Sequence, residues 1–363
     1  MQLLVLNAGS SSLKFAVFDG LKPVLKGQVS GIGSRPVLEA DGQVVSDVPH
    51  VTTPSEALIE AVRWLADAGY APERFAGIGH RIVHGGTKYV VPTAVDDTIQ
   101  QELELLRALA PLHLPFGLGV LKEMRRIAPA VPNIACFDTA FHATQPELAT
   151  RFPLPRRYFD KGYRRYGFHG LNYEHVVQAL PHQTGRPLPR RLLAAHLGSG
   201  ASMCAIFDGK SVATTMGFST ADGLVMGTRT GSIDPGVLVA LMRDESLSLD
   251  QLEDLLYRKS GLLGLSGLSP DMKVLLASDR VEAAEAIDYY CYSAARHAAS
   301  LVPALGGIDS IVFTGGVGEN AGAVRARILA HLKWLDVAQD QIHVVPANEE
   351  LTIARNVLGL IAP

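Results

Sequence analysis

The sequence contains one short unit twice, LLVLNAGSSSLKFAVFDG at residues 3–20 and LLAAHLGSGASMCAIFDG at residues 192–209. The two copies align without a gap, so that Gly9 corresponds to Gly198. Each copy is an apolar run, a Gly/Ser turn and a second apolar run, which predicts a β-hairpin with a small turn. Glycine in such a turn lets backbone N–H groups approach an anionic ligand closely. The repeat therefore predicts a duplicated fold that binds phosphate through one turn in each half.

The composition is that of a globular protein. The chain has 363 residues, a hydrophobic content of 47 % and a net charge of −3, which together indicate two domains with ample core material. It has no long apolar run and no cluster of Lys and Arg beyond short pairs, so we expect neither a membrane span nor a nucleic-acid partner. Three widely spaced cysteines, Cys136, Cys204 and Cys291, and the lack of a basic leader favour buried thiols in a cytoplasmic protein.

The order of predicted elements indicates an α/β fold. A strand meander over residues 2–48 precedes a helix near 55–69 and a strand near 75–83. The second half repeats this order, with three strands over 191–214 followed by helices and a strand at 311–313. A meander followed by alternating strands and helices predicts two α/β domains with mixed sheets.

Phosphoryl transfer requires a cradle for phosphates, a divalent metal, positive charge at the migrating group and a positioned acceptor. The two glycine turns, residues 7–12 and 196–200, are candidate cradles. The segment TGGVGEN at residues 314–320, between a predicted strand and a predicted helix, is a third candidate because a helix N-terminus favours negative charge.

Two carboxylates are candidate metal ligands. Asp138 follows a predicted strand, where α/β sheets place their sites, and Glu349 follows another apolar run. One or two carboxylates suffice for Mg²⁺, which keeps several water ligands. The alternative for Glu349 is favourable charge at a helix N-terminus that Asn348 caps.

Four basic side chains are candidates for binding the anionic substrate. Arg81 and Arg229 lie in glycine-flanked segments, and a guanidinium can hold a carboxylate or phosphate through two hydrogen bonds. His113 and His169 lie in predicted turns, where a histidine is more often structural than catalytic. No group of His and Cys has the spacing of a zinc site.

Seven motifs occur along the chain in the order NAGSSSLKF (7–15), HRIVHGG (80–86), FDTAFH (137–142), RYGFHG (165–170), MGTRTG (226–231), GGVGEN (315–320) and NEEL (348–351). They resemble the motifs of the acetate kinase family, which belongs to the acetate and sugar kinase/Hsp70/actin superfamily. The resemblance implies two duplicated ribonuclease H-like domains with a nucleotide cleft between them, one formed by residues 1–143 and 352–363 and the other by residues 144–351. It also implies reversible, direct in-line phosphoryl transfer between ATP and acetate, with Mg²⁺ or Mn²⁺, in a cytoplasmic homodimer.

The same resemblance assigns roles to individual residues. The implied metal residues are Asn7, Asp138 and Glu349. The implied catalytic residues are Arg81, which would hold the acetate carboxylate, and His113, Asp138, His169 and Arg229. The implied nucleotide contacts are Ser12, Lys14, His196, Leu197, Gly198, Ser199, Gly200, Asp271, Met272, Lys273, Gly316, Val317, Gly318, Glu319 and Asn320. The implied acyl pocket comprises Arg81, Val83, Leu112, Phe168 and Thr220.

Four positions depart from the family pattern. Ser199 replaces an asparagine, Lys273 an arginine, Thr220 a proline and Ser232 an aspartate. These departures leave open propionate or butyrate as the acceptor, pyrophosphate as the donor, or a nucleotide-binding member without catalytic activity.

Overall fold

The computed structural model describes residues 1–362. Its strands are β1 (Gln2–Ala8), β2 (Ser12–Asp19), β3 (Lys22–Ser30), β4 (Val37–Ala40), β5 (Gln43–Asp47), β6 (Gly77–Ile82), β7 (Thr93–Ala94), β8 (Asn133–Phe137), β9 (Arg191–Leu197), β10 (Ala201–Phe207), β11 (Lys210–Thr214), β12 (Ser310–Thr314) and β13 (Ile342–Val344). Its α-helices are α1 (Pro54–Asp67), α2 (Asp97–Leu105), α3 (Leu114–Ile127), α4 (Glu147–Thr150), α5 (Arg156–Asp160), α6 (Gly170–Thr184), α7 (Pro235–Asp244), α8 (Leu249–Arg258), α9 (Gly261–Ser266), α10 (Met272–Leu276), α11 (Val281–Leu305), α12 (Gly315–Asn320), α13 (Gly322–His331) and α14 (Glu349–Ile361).

The chain separates into two compact units. Unit 1 comprises residues 1–140 and the C-terminal segment from Asn348, and unit 2 comprises residues 141–347. The sequence prediction has its boundaries at 143/144 and 351/352. The second boundary lies before α14 in the structure because this helix begins at Glu349 and packs along β6 and β1 of unit 1.

Both units contain the same five-strand arrangement, and the sheet of unit 1 has additional strands at both edges. The sheet of unit 1 has the strand order β5-β4-β3-β2-β1-β6-β8-β7, and that of unit 2 has the order β11-β10-β9-β12-β13. In each sheet the first strand of the hairpin pairs antiparallel with the second and parallel with a later strand, β6 or β12. The predicted duplication of a mixed α/β fold is confirmed.

The two repeated hairpins differ at their turns. Ala8 pairs with Leu13 in the first hairpin, whereas Leu197 pairs with Ala201 in the second. The second turn is thus one residue shorter. After the turn, structurally equivalent residues of the two hairpins are therefore offset by one position from the gapless sequence alignment. Gly200 therefore immediately precedes β10.

Most predicted elements are confirmed, and the differences are local. The strands predicted over 191–214 coincide with β9, β10 and β11. Helix α6 was not expected, because its buried positions include the polar residues Asn172 and His175 and so form no simple apolar stripe. The segment at 314–320 is not a loop, since Gly315–Asn320 forms α12 directly after β12.

The three cysteines are free and buried, as predicted. Cys136 lies in β8, Cys204 in β10 and Cys291 in α11. Burial raises the pKa of the Cys204 thiol to about 12, which keeps it protonated. Within residues 1–362, no helix combines the length and apolar character needed to cross a membrane.

Two glycines of β6 allow α14 to approach the sheet closely. A Cβ atom on Gly77 would lie 2.8 Å from Val357 Cγ1, and one on Gly79 would lie 2.3 Å from Ile353 Cγ2. Both apolar partners are fully buried. Because α14 begins at Glu349, this close packing fixes the position of its first turn relative to the end of β6.

We predict that Gly79→Ala destabilises unit 1. The added methyl group would overlap Ile353, and overpacking of this kind costs about 1–3 kcal/mol in the free energy of unfolding. Gly359→Ala on α14 is the matched control. Its added methyl group meets open space and the substitution removes a glycine from a helix, so stability should be unchanged or rise by about 0.5–1 kcal/mol. Urea unfolding followed by circular dichroism measures both. Equal stability of the two variants would contradict this account of the packing.

Candidate active site

The C-terminal edge of the unit 1 sheet carries four of the predicted site residues. Strands β1, β6 and β8 are neighbours and run parallel, so their carboxyl ends lie at one edge. Asn7 lies near the end of β1, Arg81 near the end of β6, and Asp138 directly after β8. Glu349 reaches the same edge from the first turn of α14. The structure thus brings together the three predicted metal residues and the predicted carboxylate-binding arginine.

The guanidinium of Arg81 joins the other three side chains. Its Nε donates to Asp138 Oδ1 at 3.1 Å, and its Nη2 donates to Asp138 Oδ2 at 2.5 Å. Its Nη1 donates to Asn7 Oδ1 at 3.2 Å. Glu349 Oε2 lies 3.4 Å from Arg81 Nε and accepts a hydrogen bond from Asn7 Nδ2 at 3.3 Å.

The ionisation of this cluster is governed by burial and charge. The side chain of Asp138 is 1 % exposed, and that of Arg81 is 20 % exposed. Burial raises the pKa of Asp138, and the charge of Arg81 opposes that shift. Burial alone would lower the pKa of Arg81, but the negative charges of Asp138 and Glu349 outweigh it and raise the pKa. The guanidinium therefore remains charged, and its paired carboxylate neutralises it.

The donor set of this edge fits a hard divalent cation. Asn7, Asp138 and Glu349 supply amide and carboxylate oxygens, which Mg²⁺ and Mn²⁺ prefer. Among residues 1–362, no three His, Cys, Asp or Glu side chains form a metal-binding group. An ion held here would therefore need water or substrate phosphate to complete its coordination, as Mg²⁺ usually does.

The remaining predicted residues of unit 1 lie on elements next to this edge. Lys14 is exposed and pairs across β1 and β2 with Asn7, and the carbonyl of Ser12 accepts from Gly9 N at 2.8 Å in the turn. Val83 is buried directly after β6. The half-buried residues Leu112 and His113 precede α3, which approaches the backbone of β6 through Gly117.

A second cluster forms at the shorter turn in unit 2. The turn is closed by a hydrogen bond from Gly198 N to Gly200 O at 2.9 Å. The position that a Cβ atom on Gly200 would take lies 3.4 Å from His169 Nε2 and 3.6 Å from Arg229 Nη1. The ring of His196 stacks on that of His169 with centroids 4.1 Å apart. Three predicted basic side chains thus converge on one predicted phosphate-binding turn.

Backbone contacts hold Arg229 in place. Its Nη1 donates to the carbonyl oxygen of Thr220 at 3.0 Å. Gly261, at a φ of +63°, packs on it so closely that a Cβ atom there would lie 2.8 Å from Arg229 O. The buried Phe168, also predicted for the acyl pocket, accepts a hydrogen bond from His142 Nε2 at its carbonyl.

The predicted nucleotide segments prove to be helix starts. In α12, Asn320 Nδ2 donates to Gly316 O at 2.9 Å, and Glu319 accepts from Ala347 N at 2.9 Å. The carboxylate of Glu319 thus anchors the segment that precedes α14. Gly318 is buried, Val317 is half-buried, and Leu197 is buried beneath Gly315.

Helix α10 presents the other predicted nucleotide segment. Asp271 caps this helix by accepting from Lys273 N at 2.8 Å. Met272 is buried, whereas the side chains of Asp271 and Lys273 are exposed on either side of it.

Two side-chain contacts near the site were missed at the sequence level, although Ser232 itself is one of the departures from the family pattern. Ser202 accompanies His169, with Ser202 Oγ 2.9 Å from His169 Nδ1 and 2.5 Å from the hydroxyl of Tyr173. Ser232 donates to Asp222 Oδ1 at 2.7 Å. Neither contact carries a sequence signal, because the partners are separated along the chain and serine is common in strands and turns.

Comparison with known proteins identifies the family of this chain. The family model described as the acetokinase family matches residues 2–355. The chain is 42 % identical to the acetate kinase of Rhodopseudomonas palustris (strain ATCC BAA-98 / CGA009), covering 99 % of this chain and 98 % of that protein.

Two solved structures have the same fold throughout. The acetate kinase of Porphyromonas gingivalis and a propionate kinase from Francisella tularensis each have a TM-score of 0.90, 31 % sequence identity and 99 % coverage of both chains. A family match over nearly the whole chain, together with these full-length similarities, shows that the protein belongs to the acetokinase family.

Proposed function

We propose that this protein catalyses reversible, direct in-line transfer of a phosphoryl group between ATP and acetate, giving ADP and acetyl phosphate. Membership in the acetokinase family supports the reaction class. The hydrogen bonds of Arg81 are the observation that supports a carboxylate as the acceptor. A carboxylate oxygen is already a competent nucleophile, so catalysis requires positioning and charge stabilisation rather than a strong base.

Arg81 retains the donors that a carboxylate substrate needs. A guanidinium has five N–H donors, and three hydrogen bonds to Asp138 and Asn7 use three of them. One N–H remains on Nη1 and one on Nη2. A carboxylate can accept from both, and the partly exposed side chain leaves room for it. We therefore propose that Arg81 holds acetate, with Val83 and Leu112 of the same unit on the side of its methyl group.

We propose that the other predicted residues bind the metal ion, the phosphoryl group and the nucleotide. Asp138, Glu349 and Asn7 would hold Mg²⁺ or Mn²⁺, which neutralises phosphate charge when bound. His169 and Arg229 would donate hydrogen bonds to the migrating phosphoryl group, and His113 would support the acceptor site. The turn at 196–200, Ser12, Lys14, Asp271–Lys273 and α12 would contact the nucleotide. Three buried free thiols support a reducing, cytoplasmic location.

The direct test is formation of acyl phosphate, trapped with hydroxylamine. We expect hydroxamate from ATP and acetate with Mg²⁺, its loss with excess EDTA, and recovery with Mn²⁺ because the donor set is oxygen-rich. Butyrate and pyrophosphate, tested in the same assay, show whether another acceptor or donor is used instead. Protein that binds ATP but forms no acyl phosphate from any pair would contradict the proposal and support a non-catalytic role.

Propionate is a second candidate acceptor. The propionate kinase structure matches this fold as well as the acetate kinase structure does. Thr220, where the family pattern has proline, contributes its carbonyl to Arg229, so its side chain can vary without changing that contact. The ratio of kcat/KM for acetate and propionate in the hydroxamate assay decides between them.

Arg81→Lys should impair carboxylate binding specifically. Lysine keeps the charge beside Asp138 but lacks the paired donors, so we expect the KM for acetate to rise about tenfold or more, equivalent to about 1.4 kcal/mol. The KM for ATP should change little. Arg126→Lys is the matched control, because that exposed arginine makes a similar two-bond contact with Glu123 on α3. A KM that rises only for ATP would contradict the assigned role.

We also propose that the protein is a homodimer formed through α7. This helix has the sequence PGVLVALMRD and contains no buried residue, although half of it is strongly apolar. Val237, Val239 and Met242 are exposed on it, and Leu249 is exposed at the start of α8. Exposed apolar side chains concentrated on one helix are typical of a subunit interface.

The dimer is tested by sedimentation equilibrium at micromolar concentration. We expect the wild-type chain to sediment as a dimer and Val239→Asp to shift it towards monomer, because a charge would be buried at the contact. Val44→Asp, at an exposed valine of β5, should leave the mass unchanged. A monomeric wild-type protein would contradict this assignment.

A further inference from the structure

His169 has an unusual backbone conformation for a residue with a side chain. Its φ of 59° and ψ of 22° lie in the left-handed region, immediately before the first residue of α6. A residue other than glycine pays about 1 kcal/mol or more for this conformation. The conformation turns the imidazole towards Gly200, and the surrounding structure must hold it there.

A buried chain of hydroxyl groups contacts the inner nitrogen of this ring. The Tyr173 hydroxyl lies 2.5 Å from Ser202 Oγ, which lies 2.9 Å from His169 Nδ1. Both Tyr173 and Ser202 are fully buried. The backbone of His196 also contacts the Tyr173 hydroxyl oxygen and opposes the rise in the pKa of Tyr173 that burial causes.

The need to satisfy buried donors sets the direction of this chain. Among residues 1–362, Ser202 Oγ is the side-chain acceptor within reach of the Tyr173 hydroxyl, so that hydroxyl donates to Ser202. The hydroxyl hydrogen of Ser202 then points to His169 Nδ1, which accepts it. The opposite direction would leave the Tyr173 O–H buried without an acceptor, which is costly.

The direction of this hydrogen-bonded chain determines which group His169 presents to the predicted phosphate-binding turn. When Nδ1 of a neutral imidazole accepts a hydrogen bond, the proton is carried by Nε2. His169 Nε2 is the atom that faces Gly200, on the same side as Arg229 Nη1. A neutral N–H donor and a guanidinium therefore point at one position beside the turn.

We propose that Ser202, oriented by Tyr173, is a positioning residue that keeps His169 as the Nε2–H tautomer for donation to the transferring phosphoryl group. This inference rests on the proposed function. Ser202 itself does not contact substrate. Its hydroxyl acts through His169, by selecting the tautomer and holding the ring against the turn.

The experiment compares Ser202→Ala and Tyr173→Phe with wild type by kinetics and by NMR of selectively ¹⁵N-histidine-labelled protein above pH 7.5. Loss of an orienting partner typically costs about 10- to 100-fold, so we expect kcat of Ser202→Ala to fall by that factor. The KM values for ATP and acetate should change little, because ground-state binding is unaffected. The His169 signals should change from the Nε2–H pattern to a mixture of tautomers. Tyr173→Phe should have a smaller effect, since Ser202 keeps its hydroxyl.

Ser310→Ala is the matched control. Ser310 is also a fully buried strand serine of unit 2, and it donates to Gln341 O at 2.6 Å, outside this network. Its loss should leave both kcat and the His169 spectrum unchanged.

The outcomes separate this inference from the proposed function. An inactive wild-type protein contradicts the function, and that result is obtained before any variant is compared. A wild-type His169 that carries its proton on Nδ1 overturns the inference by itself. A fall in kcat of Ser202→Ala with an unchanged tautomer also overturns it, because the serine would then act through packing alone.

Discussion

The buried ion pair between Arg81 and Asp138 is the interaction on which the candidate site of unit 1 depends. Removing two charges from water costs several kcal/mol per ion unless their hydrogen bonds are satisfied. Here both oxygens of Asp138 accept from the guanidinium, and Asn7 and Glu349 complete its surroundings. This arrangement requires three parallel strand ends and the start of α14 at one edge. The close packing of α14 on Gly79 brings the start of that helix to this edge.

The two units use the same strand topology for different chemistry. His196 is the repeat equivalent of Asn7, and it pairs with Thr314 on β12, as Asn7 adjoins Arg81 on β6. In unit 2 this edge therefore carries an imidazole and a hydroxyl instead of an amide and a guanidinium. Neutral N–H and O–H donors suit phosphate oxygens, whereas the charged edge of unit 1 suits a carboxylate and a metal ion. The same framework thus carries different side chains at its strand ends in the two units.

The structure shows the surroundings of three of the four departures from the family pattern. At position 232 an aspartate would bring a second carboxylate to Asp222, whereas Ser232 donates a hydrogen bond to it. Thr220 holds Arg229 through its backbone carbonyl, so the identity of its side chain does not alter that contact. Lys273 extends into solvent from the first turn of α10.

The sequence by itself determined the duplication, the α/β class and most element boundaries, because apolar periodicity and glycine turns are local signals. Its motifs also indicated Arg81, Asp138, His169 and Arg229 as candidate site residues. Only the tertiary structure decided which of these residues meet, how the Arg81 donors are divided, and that the second turn is one residue shorter. It alone placed Ser202 and Tyr173 behind His169, since a hydrogen bond between strand and helix depends on packing across the chain. Local sequence encodes which side chains are available, whereas their partners are set by contacts between distant segments.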